Sequence, residues 1–134
     1  YHGQSALPLS SEPLYYLTNE VTEAATQWSL ETNQTKPVYI SEEEAGFDKY
    51  NLFLSGAQAL QKIESPLAKT DNRLILFRDS FGSSIAPLLI GDYAKVTLVD
   101  IRYIQPEMLG RFMEFTDQDV LFMYSALVLN KRLI

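Results

Sequence analysis

The sequence predicts an α/β fold in which residues 73–134 form a three-layer parallel sheet and residues 1–72 form a β-rich, hairpin-containing segment. The first observation is composition. The chain has 134 residues, of which 46% are hydrophobic and 21% charged, close to globular averages and enough for one domain with a real core. The second is the continuous apolar run at 74–77, typical of a strand covered on both faces. The third is a β-α-β-α-β order with short loops, which favours parallel strands joined by right-handed crossovers.

The first half contains short β-prone segments divided by polar residues. Residues 14–18, 20–30 and 36–40 are rich in Thr, Tyr and Val, and we expect strands there. Side chains in the second of these segments alternate as in a half-buried strand. The polar, turn-like residues 31–35 predict a hairpin between the segments on either side.

The middle of the chain is less regular. Residues 41–50 are acidic and predict a loop or a single helical turn. The three glutamates at 42–44 lack the spaced oxygen ligands of a calcium loop, so a solvated turn is favoured over a cation site. Residues 51–63 fit either a strand with a glycine bulge or a short helix, and residues 64–72 form a connector.

The aromatic residues of the first half have two interpretations. Trp28 would form, with Tyr15, Tyr16 and Tyr39, either an aromatic platform for a sugar or the core of the hairpin. The second is favoured, because aromatic cross-strand pairs commonly stabilise antiparallel strands.

The second half alternates between β-runs and helical periodicity. The predicted elements are strands at 74–77, 95–100 and 119–124 and helices at 83–93 and 105–115. Gly91 marks the end of the first helix, and Pro106 suits the first turn of the second.

A polar corner follows the first of these strands. Asp79 and Ser80 lie at its carboxyl end, where ligands bind in open parallel sheets. Pro87 has no backbone N–H to donate, so the helix should begin near residue 83 or 84 or be kinked. The loop before the helix is tight, and Gly82 would permit a conformation that other residues resist.

Ser80 itself has two interpretations from the residues alone. It is either a nucleophile, with free amides at the helix start stabilising an oxyanion, or only the cap of the following helix. Spacing alone favours the cap, and the G-x-S-x-G elbow of typical α/β-hydrolases is absent. A phosphate-binding loop at Gly82-Ser83-Ser84 ranks lower, because neither G-x-G-x-x-G nor a P-loop lysine is present.

Charged and phenolic side chains flank the strand ends near this corner, namely Arg78, Asp79, Asp100, Arg102 and Tyr124. The arginines and aspartates either bind a carboxylate or sugar hydroxyls, or form a network that fixes the loops, and the network is favoured. Tyr124, which precedes Ser125, either donates to a substrate oxygen or packs with its hydroxyl satisfied, and the second is favoured.

Four stretches resemble one protein family: "FDKYNLFLSGAQAL" (47–60), "RDSFGSSIAPLL" (78–89), "VTLVDIRYI" (96–104) and "DVLFMYSALVLN" (119–130). They look like the C-terminal part of the DHHW family, found in Gram-positive bacteria. That family is similar to SGNH-hydrolase-like proteins, with a Rossmann-like sheet, that O-acetylate alginate and other envelope polysaccharides. In those relatives a "GDS"-type corner carries the nucleophilic serine.

The resemblance implies a role for each residue of the corner. Ser80 would be the nucleophile, and its own amide and that of Gly82 would be oxyanion donors. From their positions at the strand ends, and not from the resemblance, Arg78, Asp79, Arg102 and Tyr124 are candidates to support the site. Arg78 stands where the relatives have glycine.

The base for such a serine is missing from the sequence. In the relatives an upstream Asp-x-His pair supplies it, whereas the only histidine here is His2, which we expect to be a solvated terminal residue. The resemblance therefore implies that residues 1–134 form one unit, the C-terminal part of a larger SGNH-like domain. That unit would be catalytically incomplete alone.

The expected function is ester chemistry, O-acetyl transfer or deacetylation, on a bacterial cell-envelope glycan, outside the cytoplasm. Its partners would be an envelope polysaccharide or acyl donor and the upstream segment of the same protein. The alternative is a non-enzymatic binding or scaffolding module of the envelope. A net charge of −6 argues against nucleic acid. No cofactor is indicated, the absence of cysteine excludes disulfides and thiolate metal sites, and nothing specifies an oligomeric state.

Overall fold

The computed structural model describes residues 12–130, which form one six-stranded sheet in the order β2-β1-β3-β5-β4-β6. The strands are β1 Thr26–Ser29, β2 Thr35–Pro37, β3 Leu60–Glu64, β4 Arg73–Arg78, β5 Lys95–Val99 and β6 Asp119–Met123. The α-helices are α1 Glu20–Ala24, α2 Glu42–Ala45, α3 Gly82–Leu89 and α4 Ala126–Asn130. Two 3₁₀ helices, Lys49–Leu52 and Pro106–Arg111, lie in the connections. No helix within these residues is long and apolar enough to cross a membrane.

The parallel strands predicted for the second half are confirmed. β4 is parallel to both β5 and β6, and Leu76 at its centre pairs with Leu98 on one side and Leu121 on the other. The sheet as a whole is mixed, because β3 pairs with β5 in antiparallel orientation. β1 and β2 extend the sheet beyond β3, and both of their pairings are also antiparallel. The β-rich first half therefore extends the same sheet and shares its core.

Both faces of this sheet are covered by helices. α1 and α3 lie on one face, where Val21, Ala86 and Ile90 pack on apolar side chains of the central strands. On the other face, Leu109 and Phe112 belong to the segment around the second 3₁₀ helix. The α-helix predicted over 105–115 is wrong in type, since i→i+3 bonding dominates there and the exposed Gly110 has low helix propensity.

Two predictions for the first half are corrected. Residues 14–18 form no strand, and 20–24 form helix α1 where a strand was expected. The helix begins at Asn19, whose side chain accepts from the Thr22 amide while the Thr22 hydroxyl accepts from the Asn19 amide. The two capping hydrogen bonds stabilise the start of the helix. The alternation of side chains that predicted a strand here fits a single helical turn equally well.

The hairpin predicted around 31–35 is confirmed. β1 and β2 pair in antiparallel register, and Asn33 in the loop adopts the left-handed conformation with φ 52°. β2 is an edge strand, where Pro37 is tolerated because no ladder donor is lost.

The acidic segment that follows is one helical turn. Ser41 caps α2, and the three glutamates of that helix are exposed. Of the two alternatives for residues 51–63, a strand forms only at the end of the segment, as β3, and the 3₁₀ helix Lys49–Leu52 reaches its beginning. Gly56, with φ 87°, precedes that strand in an irregular loop and forms no bulge within it.

Candidate functional site

The corner at Ser80 lies at the carboxyl end of β4. Arg78 ends the strand, and α3 begins at Gly82. Because β5 and β6 flank β4 in parallel, the residues that follow them, Asp100 and Ser125, lie at the same edge. The predicted placement of this corner at a ligand-facing sheet edge agrees with the topology.

The capping interpretation of Ser80 is wrong. The N-cap residue of α3 is Phe81, and no side chain makes a cap hydrogen bond there. The Phe81 amide instead donates to Asp79 Oδ1 at 3.1 Å. Ser80 is partly exposed, and its hydroxyl enters none of the side-chain hydrogen bonds formed within residues 12–130. The serine hydroxyl is therefore available for other chemistry.

Asp79 holds the corner to the neighbouring strand. Its Oδ2 accepts from the Ser125 amide, just beyond β6, at 2.7 Å. Burial opposes ionisation of Asp79, but hydrogen bonds from Ser125 and Phe81 outweigh it and hold the pKa of Asp79 below its usual range. Both oxygens are occupied as acceptors, so Asp79 is a positioning residue of this corner.

Gly82 is required for space, not for an unusual backbone conformation. Among the described glycines only Gly46 and Gly56 have positive φ, which corrects the expectation for Gly82. A Cβ at Gly82 would lie 2.6 Å from Arg78 Cβ and 2.8 Å from Arg78 Cγ. The Gly82 amide also donates to the Asp79 carbonyl at 3.1 Å. Of the two predicted oxyanion donors, the Ser80 amide is thus the one without an acceptor among the described residues.

Gly82→Ala is expected to lower the free energy of unfolding by about 1–3 kcal/mol, because the added methyl group meets the buried stem of Arg78. Gly91→Ala is the matched control, since a Cβ there meets nothing within 4 Å and its φ is not positive. Its effect should stay within about 0.5 kcal/mol. Urea unfolding followed by circular dichroism compares the two, and equal effects would contradict the steric role of Gly82.

Tyr50 is a site residue that the sequence did not indicate. It lies on the first 3₁₀ helix, and its hydroxyl donates to the Ser80 carbonyl at 3.1 Å. The same hydroxyl is 3.0 Å from Ser84 Oγ. Tyr50 thereby fixes the backbone on both sides of the turn from a position 30 residues upstream. No local pattern signals such a contact.

Arg78 is completely buried beneath this turn. Its Nη2 donates to Gln61 Oε1 at 2.7 Å, and its Nη1 lies 3.9 Å from Asp100 Oδ2. Burial lowers the pKa of Arg78, and the charge of Asp100 opposes that shift. Arg78 therefore fills the space beneath α3.

Asp100 joins the two arginines of the site. It accepts from Arg102 Nε at 2.9 Å and from Arg102 Nη2 at 2.6 Å, the bidentate geometry of an Arg–carboxylate pair. The hydrogen bonds to Asp100 raise the pKa of Arg102. This geometry agrees with the favoured interpretation, an Arg–Asp network that fixes the loops.

Two buried glutamines extend this network to the hairpin. Gln61 Nε2 donates to Gln27 Oε1 at 2.9 Å, and Gln27 Nε2 donates to Ser55 Oγ at 2.9 Å. Both glutamines are at most 2% exposed. A continuous polar path therefore runs through the core from the hairpin to Arg78.

Tyr124 lies at the end of β6 with its hydroxyl shielded from solvent. Within the described residues the buried atoms that lack a hydrogen-bond partner are Tyr124 Oη, Ser83 Oγ and Arg78 Nε. Burial raises the pKa of Tyr124, and the negative charges of Asp100 and Asp79 add to the shift. The expectation that this hydroxyl would be satisfied is wrong for the described chain.

The aromatic residues of the first half divide between the two sheet faces. Tyr16 and Tyr39 pack together, with ring centroids 4.7 Å apart, while Tyr15 is exposed. Trp28 instead packs against the cluster on the face of the second 3₁₀ helix. A single platform of all four is therefore excluded. His2, the sole histidine, lies outside the described residues.

Comparison with known proteins identifies the fold. Neither a protein-family model nor a curated protein matches the sequence. A crystal structure of a DHHW family protein from Eubacterium siraeum is 23% identical and covers 75% of this chain, with a TM-score of 0.54. PatB1 of Bacillus cereus with a sulfonyl adduct is 18% identical over 82% of the chain, with a TM-score of 0.58. A second PatB1 structure is 22% identical over 75%, with a TM-score of 0.51.

These similarities confirm, at the level of the fold, the resemblance to the DHHW family seen in the sequence. The chain spans only 34% to 40% of the length of the solved proteins.

Proposed function

We propose that this chain is the serine-bearing part of an SGNH-like domain that transfers or removes acetyl groups on a cell-envelope glycan. One observation supports it above all. Ser80 lies at the carboxyl end of a strand between two parallel neighbours, and its hydroxyl is not used as a helix cap. Tyr50 and Asp79 fix the backbone around it, as a preorganised nucleophile requires.

The proposed reaction passes through an acyl-enzyme. Ser80 Oγ attacks the carbonyl carbon of an acetyl ester, and its proton passes to a base. The carbonyl oxygen becomes an oxyanion that accepts a hydrogen bond from the Ser80 amide. The C–O bond to the donor then breaks, and the leaving oxygen takes the proton from the base. A sugar hydroxyl or water next attacks the carbonyl carbon of the acetyl-serine and gives its proton to the base. The bond from that carbon to Ser80 Oγ then breaks, Oγ takes the proton back from the base, and an acetylated sugar or acetate leaves.

The base is proposed to be a histidine on polypeptide upstream of these residues. No histidine lies within residues 12–130, and the solved proteins of this fold are more than twice as long. The sulfonyl adduct on PatB1 adds support, since sulfonyl groups attach to nucleophilic side chains. The resemblance to the DHHW family also supports a location outside the cytoplasm.

Labelling with a serine-reactive fluorophosphonate tests the nucleophile in protein that includes the upstream segment. We expect one label per chain, located by mass spectrometry on the peptide containing Ser80, and its loss in Ser80→Ala. Ser84→Ala is the control for a neighbouring, partly exposed hydroxyl and should retain the label. A folded protein that takes no label at Ser80 would instead favour the non-enzymatic binding or scaffolding module.

A further inference from the structure

A basic groove lies on the sheet face that carries the second 3₁₀ helix. Its main cavity, of about 370 Å³, is lined by four cations, Lys62, Arg73, Lys95 and Arg111. The chain has eleven Lys and Arg residues, and nine of them lie within residues 12–130. Four of these nine line this one cavity. Glu114 is the carboxylate in its lining. This concentration stands out in a chain with a net charge of −6.

Strand register explains why the groove is polar. Trp28 pairs with Lys62, Lys62 with Thr97 and Thr97 with Ile75, so these side chains form one row across a single face. The next row on the same face runs Thr26, Glu64, Lys95, Arg73. The apolar row at the carboxyl end of β4 is packed in a core cluster with Leu109. Ile75 and Trp28 of the first row also contact that cluster, whereas Lys62 and Thr97 of that row and all four residues of the next row line open cavities.

Two of the four cations are held in place and two are not. Lys62 Nζ donates to the Phe112 carbonyl at 3.0 Å, and Lys95 Nζ pairs with Glu64 at 2.5 Å. Arg73 and Arg111 are exposed and form no ion pair within residues 12–130. Their guanidinium groups are therefore available to an oxyanion, which a planar fork binds in bidentate fashion.

A second cavity continues the groove towards the hairpin. It has a volume of about 220 Å³, shares Lys62 with the first, and is lined further by Thr26, Trp28, Thr35 and Glu64. Trp28 Nε1 donates to Asn33 Oδ1 at 3.1 Å, and Lys62 Nζ lies 5.3 Å from the ring centroid, so the indole is held in position. An indole beside hydroxyls and a carboxylate offers a sugar both an apolar surface and hydrogen-bond partners.

We propose that this groove binds an anionic glycan, with a carboxylate or phosphate of one sugar at Arg73 and Arg111 and a neighbouring sugar beside Trp28. The groove includes the amino ends of β4 and β5, whereas Ser80 follows the carboxyl end of β4. Binding there is therefore independent of the proposed ester chemistry, and no turnover is needed to measure it.

Calorimetry and amide chemical-shift titration of the chain test the proposal with defined probes. Tetragalacturonate supplies sugar carboxylates, and a phosphorylated tetrasaccharide supplies sugar phosphates. Maltotetraose is the neutral sugar control, and inorganic triphosphate is the anion without a sugar. We expect at least one acidic tetrasaccharide to bind about tenfold or more tightly than both controls, with shifts concentrated at Trp28, Lys62 and Thr97.

Matched variants locate the site. Arg73→Gln with Arg111→Gln should weaken binding by about tenfold or more. Lys69→Gln removes one exposed positive charge outside the groove and should leave binding unchanged. Equal loss in both, or no loss in the double variant, would overturn the proposal. So would triphosphate binding as tightly as the acidic sugars, or no acidic sugar binding above maltotetraose. Thermal unfolding checks that each variant is folded.

Discussion

Asp100→Ala is expected to lower the free energy of unfolding by about 3–5 kcal/mol. Asp100 is completely buried, and so is Arg78, whose guanidinium lies 3.9 Å from its carboxylate. Removing the carboxylate takes away the largest negative charge acting on the buried cation and leaves only the weaker influence of Asp79, in a region of low dielectric constant. Arg102 loses its bidentate partner as well, but its side chain is 23% exposed and can turn to water. The cost therefore falls mainly on Arg78.

Urea unfolding measures this change, with a constant m-value as the sign of an unchanged transition. Asp71→Ala is the matched control, because Asp71 is exposed and its loss should cost less than about 0.5 kcal/mol. Arg102→Ala should lower the free energy of unfolding by less than Asp100→Ala, because the Asp100 carboxylate would still lie beside the Arg78 guanidinium. If Asp100→Ala unfolds the chain entirely, Asp100→Asn is expected to be intermediate because the amide oxygen still accepts hydrogen bonds. An effect of Asp100→Ala equal to that of Asp71→Ala would contradict the network.

The parallel part of the sheet could be predicted from the sequence because it is encoded locally. The continuous apolar run at 74–77 belongs to a strand buried on both faces, the β-prone run at 95–99 forms the strand beside it, and short loops leave few alternative orders. The hairpin of β1 and β2 could be predicted for the same reason, because its turn residues lie directly between its two strands. In contrast, the junction of the two halves depends on β3 pairing with β5, more than 30 residues away in the chain, and no short-range pattern specifies that contact.

The two glutamines of the buried polar network could not be predicted, for a related reason. Gln27 and Gln61 lie in strands where alternation places polar residues outside, yet they face the core because Arg78 and Ser55 satisfy them. Their burial follows from partners distant in sequence. Ser80 can be predicted as a candidate site residue because a strand-to-helix corner is a local feature, whereas its contact with Tyr50 is not.

The 134-residue chain alone is expected to show no Ser80-dependent hydrolysis of an acetyl ester. A serine hydroxyl is a weak nucleophile until a base accepts its proton, and no imidazole lies within residues 12–130. Protein that includes the upstream segment should hydrolyse the ester about 10²–10⁴ times faster than the chain alone, the usual contribution of a general base. Ser80→Ala should return that protein to the background rate.

This comparison separates a missing base from a defective nucleophile. Circular dichroism and cooperative urea unfolding must first show that the short chain is folded, so that inactivity cannot be attributed to disorder. Ser80-dependent hydrolysis by the folded short chain would contradict an external base, and attention would pass to Asp79 or His2. An inactive longer protein, folded and with Ser80 intact, would instead indicate that the fold is retained without the chemistry. Arg78 would then be the first residue to test, because its buried side chain lies directly beneath the helix that follows Ser80.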